Sequence, residues 1–481
     1  MKRLMLLMVV LQSYALAAQP PEPANGYRWV LQEQFSDEFD GSELNLDKWY
    51  NYHPYWKGRP PAMFHTDMVS VAEGMLQIKN QKLEKDSVVY NSWNDTYTTF
   101  SIAGGAVVSR TLEAHYGYYE CRMKANKTLM SSTFWMSNRG SEGPKGCGDS
   151  YSEELDIQEC VGRASSATNS FHKGMHSNTH YWYTDCEGEK ETYSLGSEEE
   201  VETDVTEDFH VYAAHWHDAK EVTFYFDDQP GRNVKFRNDV TDNPFDRPMQ
   251  INMVTETYDW VGVPTDEELA DNSKNVTYYD WIRSYELVAN TQGANVEMMT
   301  PVYEEDLSLM ALDYDFDEGD DISVRLNYKL NSNGNMQVDL LGVDDVVLSS
   351  VKQDLYFGFG QDRFDLALIG ASEQNSHAKR LRFRLYDIEN SLVDEQIVDL
   401  DEVTLAVEGP KLNMEIYPNP GQDRMWVKSS ELLEVKLVSM QGSIVREGVV
   451  SINDPMDISF LPRGVYVLYV SGYKAKRFVK S

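Results

Sequence analysis

From Trp29 to Val288 the chain consists of short apolar–polar alternations broken by Gly, Asn, Asp and Pro. Alternation at period two belongs to strands that bury one face. No long stretch repeats at the helical period, so helices cannot supply the core. The expectation is an all-β chain, a β-jelly-roll sandwich with two smaller β-sandwich domains behind it. Two curved sheets leave a concave face long enough for a polymer. At 481 residues the chain is too long for one ordinary domain.

The run Glu154-Leu155-Asp156-Ile157-Gln158-Glu159 carries the chemistry. Leu155 and Ile157 alternate with carboxylates, as on a half-buried strand, so Glu154 and Asp156 share a face. Glu159 follows Glu154 by five residues, and a regular strand sends it to the opposite face. One extra residue, a β-bulge, brings it back. Two close carboxyl groups are what retaining glycosidic hydrolysis needs, with a spacing of about 5–5.5 Å. A carboxylate run on a strand is otherwise an ordinary solvated face, so its neighbours decide.

Those neighbours are Tyr116-Gly117-Tyr118-Tyr119-Glu120-Cys121-Arg122-Met123-Lys124-Ala125 and Ser131-Ser132-Thr133-Phe134-Trp135-Met136. With them the segment resembles the catalytic strand of family 16 glycoside hydrolases, in the version with a bulge. Phe35-Ser36-Asp37-Glu38-Phe39-Asp40-Gly41, Val69 to Leu76, and Tyr279 to Tyr285 resemble other family pieces in the family's order. The resemblance spans residues 25–290, taken as the catalytic domain. Trp56 to Ala62 and Glu256 to Trp260 resemble the branch acting on red-algal galactans, agarases and porphyranases among them.

The resemblance implies roles. Glu154 matches the nucleophile, Glu159 the general acid/base, and Asp156 the residue that hydrogen-bonds the nucleophile. It implies substrate contacts at Trp56, Arg59, Trp135, His176, Glu256 and Trp260. Arg59, Arg122, Lys124 and Lys127 are candidate partners for a sulfate, since guanidinium pairs well with such oxyanions. It further implies a structural Ca2+ held by Asp280 and the Gly74 carbonyl, whose oxygens suit that ion. No cofactor is expected for catalysis, because no His/Cys cluster suggests zinc. The expected reaction is endo-acting, retaining cleavage of β-1,4-galactosidic bonds in agar-type chains, porphyran or agarose. Alternatives are κ-carrageenan, laminarin or mixed-linkage β-glucan as substrate, or a non-catalytic sugar-binding protein on the same scaffold.

A formal net charge of −35 argues against nucleic-acid partners. Lys2 and Arg3, the apolar run Leu4 to Leu11, and Ala15-Leu16-Ala17-Ala18 read as a signal peptide over residues 1–18. No segment has the length of a membrane span. Secretion permits disulfides. Four cysteines allow three pairings, and the loop contexts of Cys147 and Cys186 favour that pair. A polar stretch at Asn290–Asn295 reads as a linker. Residues 303–407 form a β-rich unit of unreadable role. Residues 412–481 open with Ile416-Tyr417-Pro418-Asn419-Pro420 and end in a basic tail. They resemble the C-terminal sorting domain of the type IX secretion system. The protein is therefore expected outside the cell or on its surface, as a monomer, with a polysaccharide and that secretion machinery as partners.

Overall fold

The computed structural model describes residues 19–91, 95–291, 304–313, 322–366 and 380–399. In the C-terminal region it describes 416–417, 423–428, 433–439, 444–451, 455–470 and 476–480. The signal sequence, most of the linker at Asn290–Asn295, and Pro418-Asn419-Pro420 lie outside the described residues.

The chain divides into two compact units, the first ending near Gln292. In that unit the alternating stretches form two large antiparallel sheets and a small one of Ala62–Phe64, Thr96–Gly104 and Gln81–Asn91, whose first pair is parallel. One runs Gln229–Lys235, Glu221–Phe226, His210–Asp218, Gly117–Lys124, Val276–Ala289, Tyr27–Leu31. The other runs Lys190–Ser194, Lys173–Thr184, Ser150–Val161, Ser131–Ser137, Gln250–Val254, Ala106–Ser109, Trp49–Tyr50.

Period two sorts each strand between core and exterior. Tyr119, Cys121 and Met123 from the first sheet share one buried cluster with Phe134, Met136, Leu155 and Cys160 from the second. Each large apolar side chain so buried contributes roughly 1.5–3 kcal/mol. Residues of opposite parity, Thr133, Trp135 and Ser137, therefore face outward on the second sheet, and Arg122 and Lys124 face outward on the first.

Local punctuation follows the residues. Glu73 and Gly74, at φ 57° and 71°, make the two-residue turn joining Val69–Ala72 to Met75–Lys79. The single α-helix among the described residues, Asp266–Ala270, begins with a capping box. Glu268 N donates to Thr265 Oγ1 at 3.2 Å, and Thr265 N donates to Glu268 Oε2 at 2.8 Å. Cys147 and Cys186 form a disulfide with Cα atoms 5.6 Å apart, while Cys121 and Cys160 are buried free thiols. No described helix is long and apolar enough to cross a membrane.

The second unit holds two separate apolar clusters. One gathers Val324, Leu326, Met336, Val338, Leu340, Phe364, Leu381 and Phe383 from strands within residues 304–399. The other gathers Val427, Val435, Leu437, Ile458, Leu468 and Phe478 from the C-terminal strands. In the former, Asp339 is fully buried on the face opposite Val338 and Leu340. It accepts from Arg382 Nη2 at 2.7 Å, Arg384 Nη2 at 2.6 Å, Ser350 Oγ at 2.6 Å and Gln337 Nε2 at 2.8 Å.

Candidate active site

The strand Ser150–Val161 pairs with Ser131–Ser137 in a register that slips once. Phe134 lies opposite Gln158, but Trp135 lies opposite Asp156, so Ile157 is the extra residue of a bulge. On either side of the slip, Thr133 opposes Glu159 and Ser137 opposes Glu154. Cross-strand partners share a face. Glu154, Asp156 and Glu159 therefore line the same outward face as Trp135, and the apolar residues between them fill the core.

Asp156 is 3% exposed, and Glu154 and Glu159 are half-buried. His180, cross-strand from Glu154, brings Nε2 within 3.3 Å of Asp156 Oδ2. Polar atoms of Glu154, Asp156 and His180 all lie within 4.8 Å of one another. Burial, then the charge of Asp156, push the Glu154 carboxyl well above its ordinary range, with His180 opposing. Burial, then Glu159 and Glu256, do the same to Asp156. Like charges crowded in a dry cleft cannot all ionise, so protons are retained near neutrality.

The wall beyond Glu159 comes from the loop after Gln250–Val254. Tyr258 donates its hydroxyl to Glu159 Oε1 at 2.6 Å. Glu256, 5% exposed, accepts from Arg59 Nε at 2.9 Å, and Arg59 Nη1 is 3.9 Å from Asp259. Burial pushes the Glu256 carboxyl up to about 7 against the pull of Arg59. Trp260, 48% exposed, stacks on Tyr258 with centroids 5.5 Å apart. On the other flank, Trp56 and Trp135 are partly buried against Phe64, Ala106, Val108 and Val254. His53 lies near-parallel to Trp135 at 6.4 Å and edge-on to Trp56 at 5.7 Å. Its Nδ1 accepts from the backbone N–H groups of Tyr55 and Trp56, and burial lowers its pKa to about 4. The proton of this neutral imidazole therefore sits on Nε2.

The structure thus gathers Glu154, Asp156, Glu159, Trp135, Glu256, Arg59, Tyr258 and Trp260 around one cleft. His176 is placed differently. It is 6% exposed, and its Nε2 lies 2.9 Å from the Lys173 carbonyl and 3.2 Å from that of Ser170. Its ring packs on Phe171, which in turn meets Trp260. His176 therefore braces the loop behind the aromatic wall, and His180 is the histidine at the carboxylates. Arg122 and Lys124 correct an expectation: they share a face, but it is the outward face of the opposite sheet. Arg122 pairs there with Asp280, and Lys127 pairs with Glu207 at 3.5 Å. Period two says which residues share a face, not which side of the sandwich that face is on.

The expected Ca2+ ligands are Asp280 and the Gly74 carbonyl. Register places the Gly74 turn beside Asp280, since Tyr279 opposes Leu76. The Asp280 carboxylate, however, already accepts from Arg122 Nη1. A guanidinium at the one anionic ligand opposes a cation, so these residues do not fit a Ca2+ site as arranged.

A jelly-roll cleft lined by three carboxylates on one bulged strand, walled by aromatics, defines a glycoside hydrolase. The chain belongs to the family described as Beta-porphyranase A-D, GH16 domain, whose model matches residues 29–287. Enzymes of this family act with retention of configuration. Residues 415–481 match the secretion system C-terminal sorting domain, which marks a secreted or cell-surface protein of the type IX route. The chain is 39% identical to Beta-porphyranase D of Zobellia galactanivorans over 357 residues, 73% of this chain and 83% of that one. It is 45% identical to Beta-porphyranase B of Phocaeicola plebeius over 298 residues, 58% of this chain and 92% of that one. Among solved structures it resembles the beta-porphyranase BpGH16B from the human gut bacterium Bacteroides plebeius. That match has a TM-score of 0.51 and 43% identity, covering 56% of this chain and 95% of that one.

Proposed function

We propose that this protein is an endo-acting, retaining β-porphyranase that cleaves β-1,4-galactosidic bonds of red-algal galactans. Glu154 attacks the anomeric carbon while Glu159 delivers its proton to the departing glycosidic oxygen. Water then takes the reverse path, with Glu159 as base. Asp156, whose own proton is favoured by burial and by the charges of Glu159 and Glu256, is the neighbour able to hydrogen-bond Glu154 as it ionises for attack. The single observation that carries this reading is the bulge at Ile157, which puts all three carboxylates on one face.

Porphyran is favoured over agarose by the names of the relatives and by Arg59. Its guanidinium stands in the cleft and is the charge a sulfate ester would meet. Action as a monomer is part of the same proposal. The test is hydrolysis of porphyran, agarose, κ-carrageenan and laminarin, with proton NMR of the first product. Porphyran is expected to be cut fastest, with the β-anomer appearing first. Cleavage of laminarin alone would overturn the substrate, and an initial α-anomer would overturn the mechanism.

A further inference from the structure

Among the described residues Tyr258 is the one hydroxyl donor on the proposed acid/base, and its setting is built rather than incidental. Its ring is 3% exposed, stacked on Trp260 and tilted against Phe171 at 6.0 Å. Arg59 Cζ lies 5.4 Å from its centroid. The backbone beneath is fixed too: Ser131 N donates to the Glu256 carbonyl at 2.8 Å, and Val261 N to the Tyr258 carbonyl at 3.2 Å. The hydroxyl therefore cannot follow Glu159 if that side chain moves. It pins Oε1, and among the described residues no partner occupies Oε2, which is left to meet substrate.

We infer that Tyr258 is a positioning residue that holds Glu159 by one oxygen throughout the reaction and stabilises its carboxylate form. The inference rests on the reading of Glu159 as acid/base. In the first step, the proton on Glu159 Oε2 passes to the glycosidic oxygen as the C–O bond breaks, and the negative charge left behind falls on a carboxylate already bonded to Tyr258. In the second step, Oε2 takes a proton from water as the water oxygen bonds to the anomeric carbon and the bond from that carbon to Glu154 breaks, releasing the Glu154 carboxylate. Tyr258 keeps its own proton in both steps. Burial first, then the neighbouring Glu159 and Glu256, raise its pKa well above that of a free phenol.

The other charged and titratable groups around Glu159 come from every wall of the cleft. Glu154, Asp156 and Cys160 lie on its own strand, and His180 approaches through Asp156 from the next strand. Glu256 and Asp259 come from the same loop as Tyr258, and Arg59 from the loop before Ala62–Phe64. Among these groups in the described residues, Tyr258 is the one whose hydroxyl donates to Glu159.

The test is the pH profile of kcat/KM for full-length Tyr258→Phe on porphyran oligosaccharides. Losing a donor to a carboxylate weakens the acid, so the alkaline limb should move up by about one pH unit, as for one charge-assisted hydrogen bond. The turnover number should fall about tenfold with KM within twofold, since the bond places the proton rather than the sugar. A purely structural tyrosine would lower the yield of folded enzyme and leave the limb where it was, and that result overturns the inference. Site-specific 3,5-difluorotyrosine at 258 keeps the ring and makes a stronger donor. It should move the limb down, and an unmoved limb there also overturns the inference. Glu159→Gln, run alongside, separates the two readings. It should abolish the alkaline limb, and if it keeps the wild-type profile, Glu159 itself is misassigned.

Discussion

Asp156 in the cleft and Asp339 in the second unit are both buried carboxylates on β-strands, and they are solved in opposite ways. Asp339 is met by two guanidiniums, a hydroxyl and an amide. Burial alone would raise its pKa, but these partners outweigh burial and hold it below the ordinary range. Asp156 is met by three glutamates, a histidine edge and, among the described residues, no guanidinium, and it is driven the other way. Where a carboxylate only has to be folded, the sequence supplies its counter-charge. At Asp156 no such counter-charge is supplied, and the unbalanced protons are the working parts.

The largest consequence is at the cleft. Glu154→Gln and Glu159→Gln should each lower turnover at least about a hundredfold, some 2.7 kcal/mol of barrier. The thermal midpoint of the first unit should stay the same or rise, because a crowded charge has been removed. Kinetics paired with calorimetry checks both halves, and near-normal turnover in either variant would sink the assignment. At Asp339 the pattern should invert. Asp339→Asn strands Arg382 and Arg384, whose side chains are 22% and 21% exposed, and should cost about 2 kcal/mol in the second unit while hydrolysis is untouched. Chemical denaturation followed by activity assays reads this. Lost activity with intact stability would break the contrast.

The smallest effect is in pH. In the first unit, burial raises Glu120 to about 8 and Glu153 to about 9. A group whose folded pKa is raised stabilises fully below its unfolded value near 4.5, and that stability is lost as pH climbs through 8 to 9. Asp339, lowered, stabilises above its unfolded value and loses that contribution as pH falls through the folded one. Heating scans should therefore show the first unit weakening on the alkaline side and the second on the acid side. Glu120→Gln should flatten only the former. Parallel loss of both units in alkali would leave the contrast without a physical basis.

Much of the cleft was legible because strand geometry is regular. Two carboxylates at spacing two, and a third that needs one extra residue, predict a bulge, and the register slips at Ile157. Loop context leaned toward the Cys147–Cys186 bridge without excluding the other two pairings, and the structure forms it. What sequence could not supply was sidedness and reach. His176 and His180 are four residues apart on one strand and share a parity, so choosing between them needs the cross-strand partner, Glu154. Arg122 and Lys124 share a face that only the assembled sandwich turns away from the cleft. Tyr258 lies in a segment that signalled the family, but its bond to Glu159 spans 99 residues of sequence and leaves no local trace.

The extra residue at Ile157 works as a parity correction. Five steps along a strand invert a side chain and four do not, and the bulge makes five steps count as four. Gaining or losing a codon at this one position, with the bulge opening or closing in response, leaves the proton donor in the cleft. Between Glu154 and Glu159, the same codon change without a compensating bulge would turn that donor into the core. A one-residue insertion or deletion between the two carboxylates therefore acts through parity first, because parity decides which face each one occupies.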